Sequence, residues 1–127
     1  MTHVLIIDDN DSNLGVLTQL LSMHNMTYTT VQNPTKIGDV LECLDDVGLI
    51  LLDLEMPYLN GYQVFDIIKA SSQAQDIPII ACTVHTNEMW SAREMGFNGF
   101  ISKPFNMDIF NDQLDQILSG KPVWYAY

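Results

Sequence analysis

Four short, almost uninterrupted apolar runs punctuate the chain, at residues 4–7, 48–52, 77–82 and 99–101. Continuous rather than alternating runs of this length suit strands covered on both faces, as in a parallel sheet. A fifth strand is expected at residues 26–31, from the β-branched and aromatic content of Met26-Thr27-Tyr28-Thr29-Thr30-Val31. The segments between these runs carry helical periodicity and helical punctuation. Leu14, Leu17, Leu20 and Leu21 make an apolar face behind a polar start at Asn10. Asn33-Pro34 reads as an N-cap with proline at the first helical position, followed by Ile37, Val40, Leu41 and Leu44. Val64, Ile67 and Ile68 follow an Asn60-Gly61 turn. Asn87 is expected to cap a fourth helix that runs to Met95 and ends at Gly96, and Phe110, Leu114, Ile117 and Leu118 line a fifth that Gly120 stops.

Five β-α repeats predict an α/β fold of three layers, a flavodoxin-like doubly wound sheet of five parallel strands with five helices. The common small version has strand order 2-1-3-4-5, with its ligand site at the carboxyl ends of the strands. No repeat or linker divides the 127 residues, so one domain is expected over residues 1–119, followed by a tail at 120–127. That tail holds Trp124, Tyr125 and Tyr127, too apolar for a solvated terminus, and is expected to pack on this domain or on a neighbouring chain.

Composition narrows the function. Five basic against sixteen acidic residues give a formal charge of −11, and Arg93 is the sole arginine. Such a chain lacks the basic footprint for direct binding of nucleic acid or of an anionic membrane. The N-terminus has no cationic start, and its apolar run is cut by Asp8-Asp9, so it does not read as a secretion signal. No apolar run approaches the roughly 20 residues of a transmembrane helix. Cys43 and Cys82 stand in apolar stretches without metal or redox spacing and read as small buried hydrophobes in a reduced compartment. A cytoplasmic location follows as the expectation. His3 and His24 have no partner at ligand spacing, and the seven methionines are scattered as core filler.

The chemistry stands one residue past each strong run: Asp8-Asp9 after 4–7, Asp53 after 48–52, Thr83 after 77–82, Ser102-Lys103 after 99–101. Adjacent strands lie about 4.8 Å apart. In the expected order Asp8 and Asp9 therefore flank Asp53 on one side, Thr83 on the other, and Lys103 lies one strand beyond. Each residue has a bland use by itself: a strand-end hydroxyl, a loop carboxylate, a helix cap. Three carboxylates converging on one crevice repel, and oxygen-only ligands beside water and phosphate favour Mg²⁺. A carboxylate is ionised at neutral pH and can itself be the nucleophile that forms an aspartyl phosphate. A lysine point charge and a threonine hydroxyl then suit the phosphoryl oxygens. Asp53, with partners on both sides, is the central candidate.

Residues 2–119 resemble the receiver domain of two-component response regulators. The signatures are Ile6-Ile7-Asp8-Asp9-Asn10, Leu51-Leu52-Asp53-Leu54-Glu55-Met56-Pro57 with Asn60-Gly61, Ile80-Ala81-Cys82-Thr83, and Gly96-Phe97-Asn98-Gly99-Phe100-Ile101-Ser102-Lys103-Pro104-Phe105. The resemblance implies Mg²⁺ held by Asp8, Asp9, Asp53 and the main-chain carbonyl of Glu55. It implies that Asp53 is the phosphoacceptor for a histidine kinase or a histidine phosphotransfer protein, with Thr83 and Lys103 contacting the phosphoryl group. It also implies a cis peptide at Lys103-Pro104 and a switch in which Thr83 moves and Phe100 fills the space from outside. Val84 departs from the family, which usually has Ala or Gly there. With Glu55 and His85 it is expected to tune the phosphorylation rate. Phe100 is expected on a partner surface; Trp90 is the other candidate for that surface, with packing on its own domain as the first expectation for so large an aromatic. A dimer through the fourth helix, fifth strand and fifth helix, or through the tail, is a further expectation; the downstream target stays unnamed. A binding switch rather than an enzyme is thus the expectation. Its rivals are a pseudo-receiver that binds partners without phosphorylation and a haloacid-dehalogenase-like phosphatase, whose Asp-x-Asp spacing Asp8-Asp9-Asn10 lacks.

Overall fold

In a computed structural model, residues 2–121 and 123–125 are described, with the side chain of Tyr125 excepted. The strands are β1 (His3–Ile7), β2 (Thr27–Val31), β3 (Val47–Asp53), β4 (Ile79–Thr83), β5 (Gly99–Ser102) and β6 (Val123–Tyr125). The helices are α1 (Asp11–Met23), α2 (Ile37–Glu42), α3 (Gly61–Lys69), α4 (Met89–Met95) and α5 (Met107–Leu118). All pairings are parallel and the order is β2-β1-β3-β4-β5-β6.

The apolar runs divide by alternation, since successive strand side chains point to opposite faces. Leu5, Ile7, Ile50, Leu52, Ile79, Ala81 and Phe100 face one core with Ile37 and Leu41 of α2, Val64, Phe65 and Ile68 of α3, and Ala92 of α4. Val4, Ile6, Leu49, Leu51, Ile80, Cys82 and Ile101 face the other, with four leucines of α1 and Phe110, Leu114 and Ile117 of α5. Two covered faces are the reason for uninterrupted apolar strands.

Asparagines punctuate the helices. Asn10 accepts from the Asn13 N–H, and Asn60 and Gln63 form a reciprocal capping box at α3. Gly96 ends α4 at φ 107°, a left-handed position that favours glycine. Two boundaries differ from expectation. Asn33 caps a 3₁₀ turn at Pro34–Lys36 that leads into α2. Asn87 caps nothing: it lies inside a 3₁₀ turn at Thr86–Glu88, and α4 starts after it without a side-chain cap. Cys43 is exposed, contrary to expectation, because α2 ends beside it; Cys82 is buried.

The sixth strand is the main difference from the five expected. Past Gly120, at φ 81°, the chain reverses, and Lys121 N–H bonds back to Gln116 O at 2.9 Å. Val123 then pairs with Gly99 and Trp124 with Phe100. Parallel pairing requires a crossover, which α5 supplies, so β5-α5-β6 is one more βαβ unit. Val123 enters the α1/α5 core while Trp124 packs against the opposite one. A Cβ on Gly99 would stand 2.8 Å from Val123 O, so glycine permits this close approach. Part of the expected tail is therefore sheet; Pro122, Ala126 and Tyr127 lie outside the described residues.

Candidate functional site

Register brings the strand ends together as the sequence order required. Ile7 pairs with Leu52, Asp53 with Cys82, and Thr83 with Ser102. Asp8 and Asp53 are 1% and 3% exposed, and Thr83 is fully buried. The loop after β3 is fixed by α3. Gly61 N–H bonds to Leu54 O at 3.0 Å, and a Cβ on Gly61 would fall 2.5 Å from Asp53 O. Only glycine lets α3 start this close to the strand end that carries Asp53.

Lys103 reaches across two strands into the carboxylates. Its Nζ donates to Asp53 Oδ1 at 2.9 Å and to Asp8 Oδ2 at 3.1 Å. The Lys103 backbone N–H bonds to Thr83 O at 2.9 Å, anchoring the start of its loop, and the Lys103-Pro104 peptide is cis as expected. Asp8 Oδ1 accepts from the Asn10 N–H at 2.9 Å. Each of Asp8, Asp9 and Asp53 offers an oxygen within 4.8 Å of the others. Asp9, Asn10, Asn13, Asp53, Glu55, Val84, Lys103 and Pro104 line an open cleft of about 510 Å³.

Burial pushes the Asp53 pKa up to about 6; the Lys103 hydrogen bond pulls it down and the Asp8 charge raises it. Burial alone would lower Lys103, but the bonds and charges of Asp53 and Asp8 overcome it and hold the ammonium above its usual pKa. Burial also takes the Cys82 thiol up to about 12, which leaves it inert. The donor set, oxygen-only and anionic with one open side, fits a hard divalent cation such as Mg²⁺ rather than a soft metal.

Among the described residues Thr83 makes no hydrogen bond to Asp53. Its hydroxyl donates to the Glu55 carboxylate, 2.5 Å from Oε1 and 2.7 Å from Oε2, with Glu88 Oε2 at 3.3 Å. Thr83 Oγ1 in turn accepts from the His85 N–H at 3.0 Å. Tyr62 OH reaches Glu88 Oε1 at 3.4 Å. Although Glu55 is largely open to solvent, lost hydration where its carboxylate turns inward raises its pKa, and the neighbouring Glu88 raises it further. Burial and Glu88 push Tyr62 up to about 12. Glu88 and Tyr62 were not legible as site residues, since neither stands at a strand end.

Other expected residues fall less simply. Val84 is 58% exposed at the mouth of the cleft, and His85 is also exposed. Phe100 requires a correction: it is fully buried, so it belongs to no partner surface here, and it already occupies the inward position expected only after switching. The sheet explains this, because Phe100 faces the core between Ala81 of β4 and Trp124 of β6. Trp90 is 63% exposed, which departs from the first expectation that it packs on its own domain, and Arg93 lies 5.9 Å from its ring and 5.4 Å from that of Trp124. His3 is bonded to the hydroxyls of Thr27 and Thr29, and His24 to Asn111. Among the described residues, no helix is long and apolar enough to cross a membrane.

Known proteins are similar to this chain in sequence and fold. A two-component response regulator of Oryza sativa subsp. japonica is 31% identical over 107 residues, covering 80% of this chain and 62% of that protein. Protein PilH of Pseudomonas aeruginosa is 26% identical over 123 residues, 94% of this chain and all of its own length. The solved receiver domain of a sensor histidine kinase from Pseudomonas aeruginosa PAO1, with a magnesium ion in its active-site cleft, superposes with a TM-score of 0.79 at 26% identity, covering 93% and 98% of the two chains. The family profile described as response regulator receiver domain matches residues 4–115, a span that takes in every strand-end carboxylate, Thr83 and Lys103. With fold, register and profile in agreement, this chain belongs to the response regulator receiver domain family of two-component systems.

Proposed function

We propose that this protein is a phosphoacceptor switch, taking a phosphoryl group on Asp53 from a histidine kinase or histidine phosphotransfer protein and changing its affinity for a downstream protein. The observation that carries the reading is the Lys103 ammonium held between Asp53 and Asp8, with Asp9 completing the acidic set. Asp8, Asp9, Asp53 and the Glu55 main-chain carbonyl would hold Mg²⁺, which supplies positive charge for the phosphoryl oxygens. The solved relative with magnesium in its cleft supports this assignment.

An Asp53 carboxylate oxygen attacks phosphorus while the phosphorus–nitrogen bond of the donor phosphohistidine breaks. The imidazole leaves with the bonding electron pair and takes a proton from solvent. Ionised Asp53 needs no general base. Lys103 already stands within hydrogen-bond distance of one Asp53 carboxylate oxygen and neutralises charge that builds on the transferred group. Thr83 carries the switch: its hydroxyl gains a new acceptor only when a phosphoryl group is present, so phosphorylation shifts a packing equilibrium rather than creating a new fold. Val84, which lines the cleft, and the exposed His85 beside it in sequence tune donor and water access.

Incubation with acetyl phosphate and Mg²⁺, followed by intact mass, tests the reading. A gain of one phosphoryl group, lost in Asp53→Asn, is the expected result. Continuous turnover would indicate a phosphatase, and an unchanged mass would leave a pseudo-receiver.

A further inference from the structure

We propose that the Glu55 side chain is a positioning residue that latches the Thr83 hydroxyl away from Asp53 and so sets how strongly a phosphoryl group must compete to throw the switch. The inference rests on the phosphoacceptor reading of Asp53.

A hydroxyl has one proton to give. In this structure the Thr83 proton is faced by three carboxylate oxygens, two of Glu55 and one of Glu88, and Thr83 makes no hydrogen bond to Asp53 among the described residues. The contact is charge-assisted and short, the stronger kind of hydrogen bond. Thr83 is fully buried, so leaving Glu55 means finding another acceptor rather than falling back on bulk water. The oxygen is also pinned by the His85 N–H, which fixes where the hydroxyl pivots. Glu55 is held from its own side: its backbone N–H lies 3.4 Å from Asp53 Oδ1. Acceptor and latch thus share one loop, and the group that Asp53 would receive must offer Thr83 an acceptor better than the Glu55 carboxylate. Glu88, tethered to Tyr62 of α3, supports the latch as a second acceptor.

Glu55 could instead act only by repelling an anion, and a double-mutant cycle separates the two routes. The probe is beryllium fluoride, a phosphoryl mimic, titrated calorimetrically at saturating Mg²⁺ into the wild type, Glu55→Ala, Thr83→Val and the double variant. If Glu55 latches Thr83, Glu55→Ala binds about tenfold tighter than wild type, the worth of one charge-assisted hydrogen bond. The same substitution then changes little in the Thr83→Val background. Thr83→Ser, which keeps a hydroxyl, restores the tightening and guards against a packing artefact at the buried site. Equal tightening with and without the Thr83 hydroxyl would overturn the latch in favour of simple charge repulsion. An unchanged affinity in Glu55→Ala would overturn it as well. Absence of binding in all variants, wild type included, would instead strike the phosphoacceptor reading and the latch with it.

Discussion

Asp53→Asn should make the protein more stable at neutral pH, although it removes a salt-bridge partner. In the fold the Asp53 pKa is about 6 against an ordinary 3.8, a rise of about 2 units. A carboxyl whose folded pKa lies above its unfolded one opposes folding when ionised: the cost is absent below pH 3.8, grows between 3.8 and 6, and is complete above 6. At 1.36 kcal/mol per unit, two units amount to about 3 kcal/mol above pH 7. Burial supplies the largest share, with Asp8 adding to it and Lys103 partly offsetting it. Asparagine keeps the shape and loses the charge, while Lys103 keeps Asp8 as partner. Urea denaturation without divalent metal should show Asp53→Asn about 3 kcal/mol more stable at pH 8, roughly 10 °C in melting temperature. The gap should close toward pH 4, where wild-type Asp53 carries its proton. Adding Mg²⁺ should also narrow it, because the cation binds only the native wild-type cluster tightly. A less stable Asp53→Asn at pH 8 would show that the Lys103 pairing outweighs burial and repulsion, and would refute the electrostatic account of the site.

Three carboxylates within 4.8 Å of one another repel by about 3 kcal/mol per pair at an effective dielectric constant of about 20. Millimolar Mg²⁺ should therefore raise the melting temperature of the wild type, and Asp9→Asn should remove most of that gain, as read by thermal melts with and without the ion. Gly61→Ala places a methyl 2.5 Å from Asp53 O and should cost about 1–3 kcal/mol in urea unfolding while slowing phosphorylation, since the acceptor strand end must shift. Gly99→Ala crowds Val123 O at 2.8 Å and should release β6, seen as faster amide exchange at residues 123–125 with the remaining strands unaffected. Val84→Ala should speed both phosphorylation and dephosphorylation severalfold in an acetyl phosphate time course while leaving Mg²⁺ affinity unchanged, because Val84 stands at the cleft mouth.

Local patterns carried the architecture. The apolar runs at 4–7, 48–52, 77–82 and 99–101 could be buried only on two faces, and the polar residue that ends each run had to stand on one edge of a parallel sheet. That is why Asp8, Asp9, Asp53, Thr83 and Lys103 are legible in the sequence alone: strand order and a period of two leave little freedom at a strand end. What only the tertiary structure decided lies where local patterns are silent. A run of three residues has no period, so Val123-Trp124-Tyr125 became a strand only because β5 had an open edge and Gly99 let the backbone approach. Phe100 went inward because Ala81 left room beside it and Trp124 covers its other flank, a fact of neighbouring strands rather than of its own segment. The Glu55 side chain turned to Thr83, 28 residues away, and Glu88 arrived from the turn before α4. Sequence sets which groups reach the cleft; the direction in which each hydroxyl and carboxylate points is settled by the hydrogen-bond partners that distant segments bring, and in this protein those partners have the Thr83 hydroxyl donating to the Glu55 carboxylate.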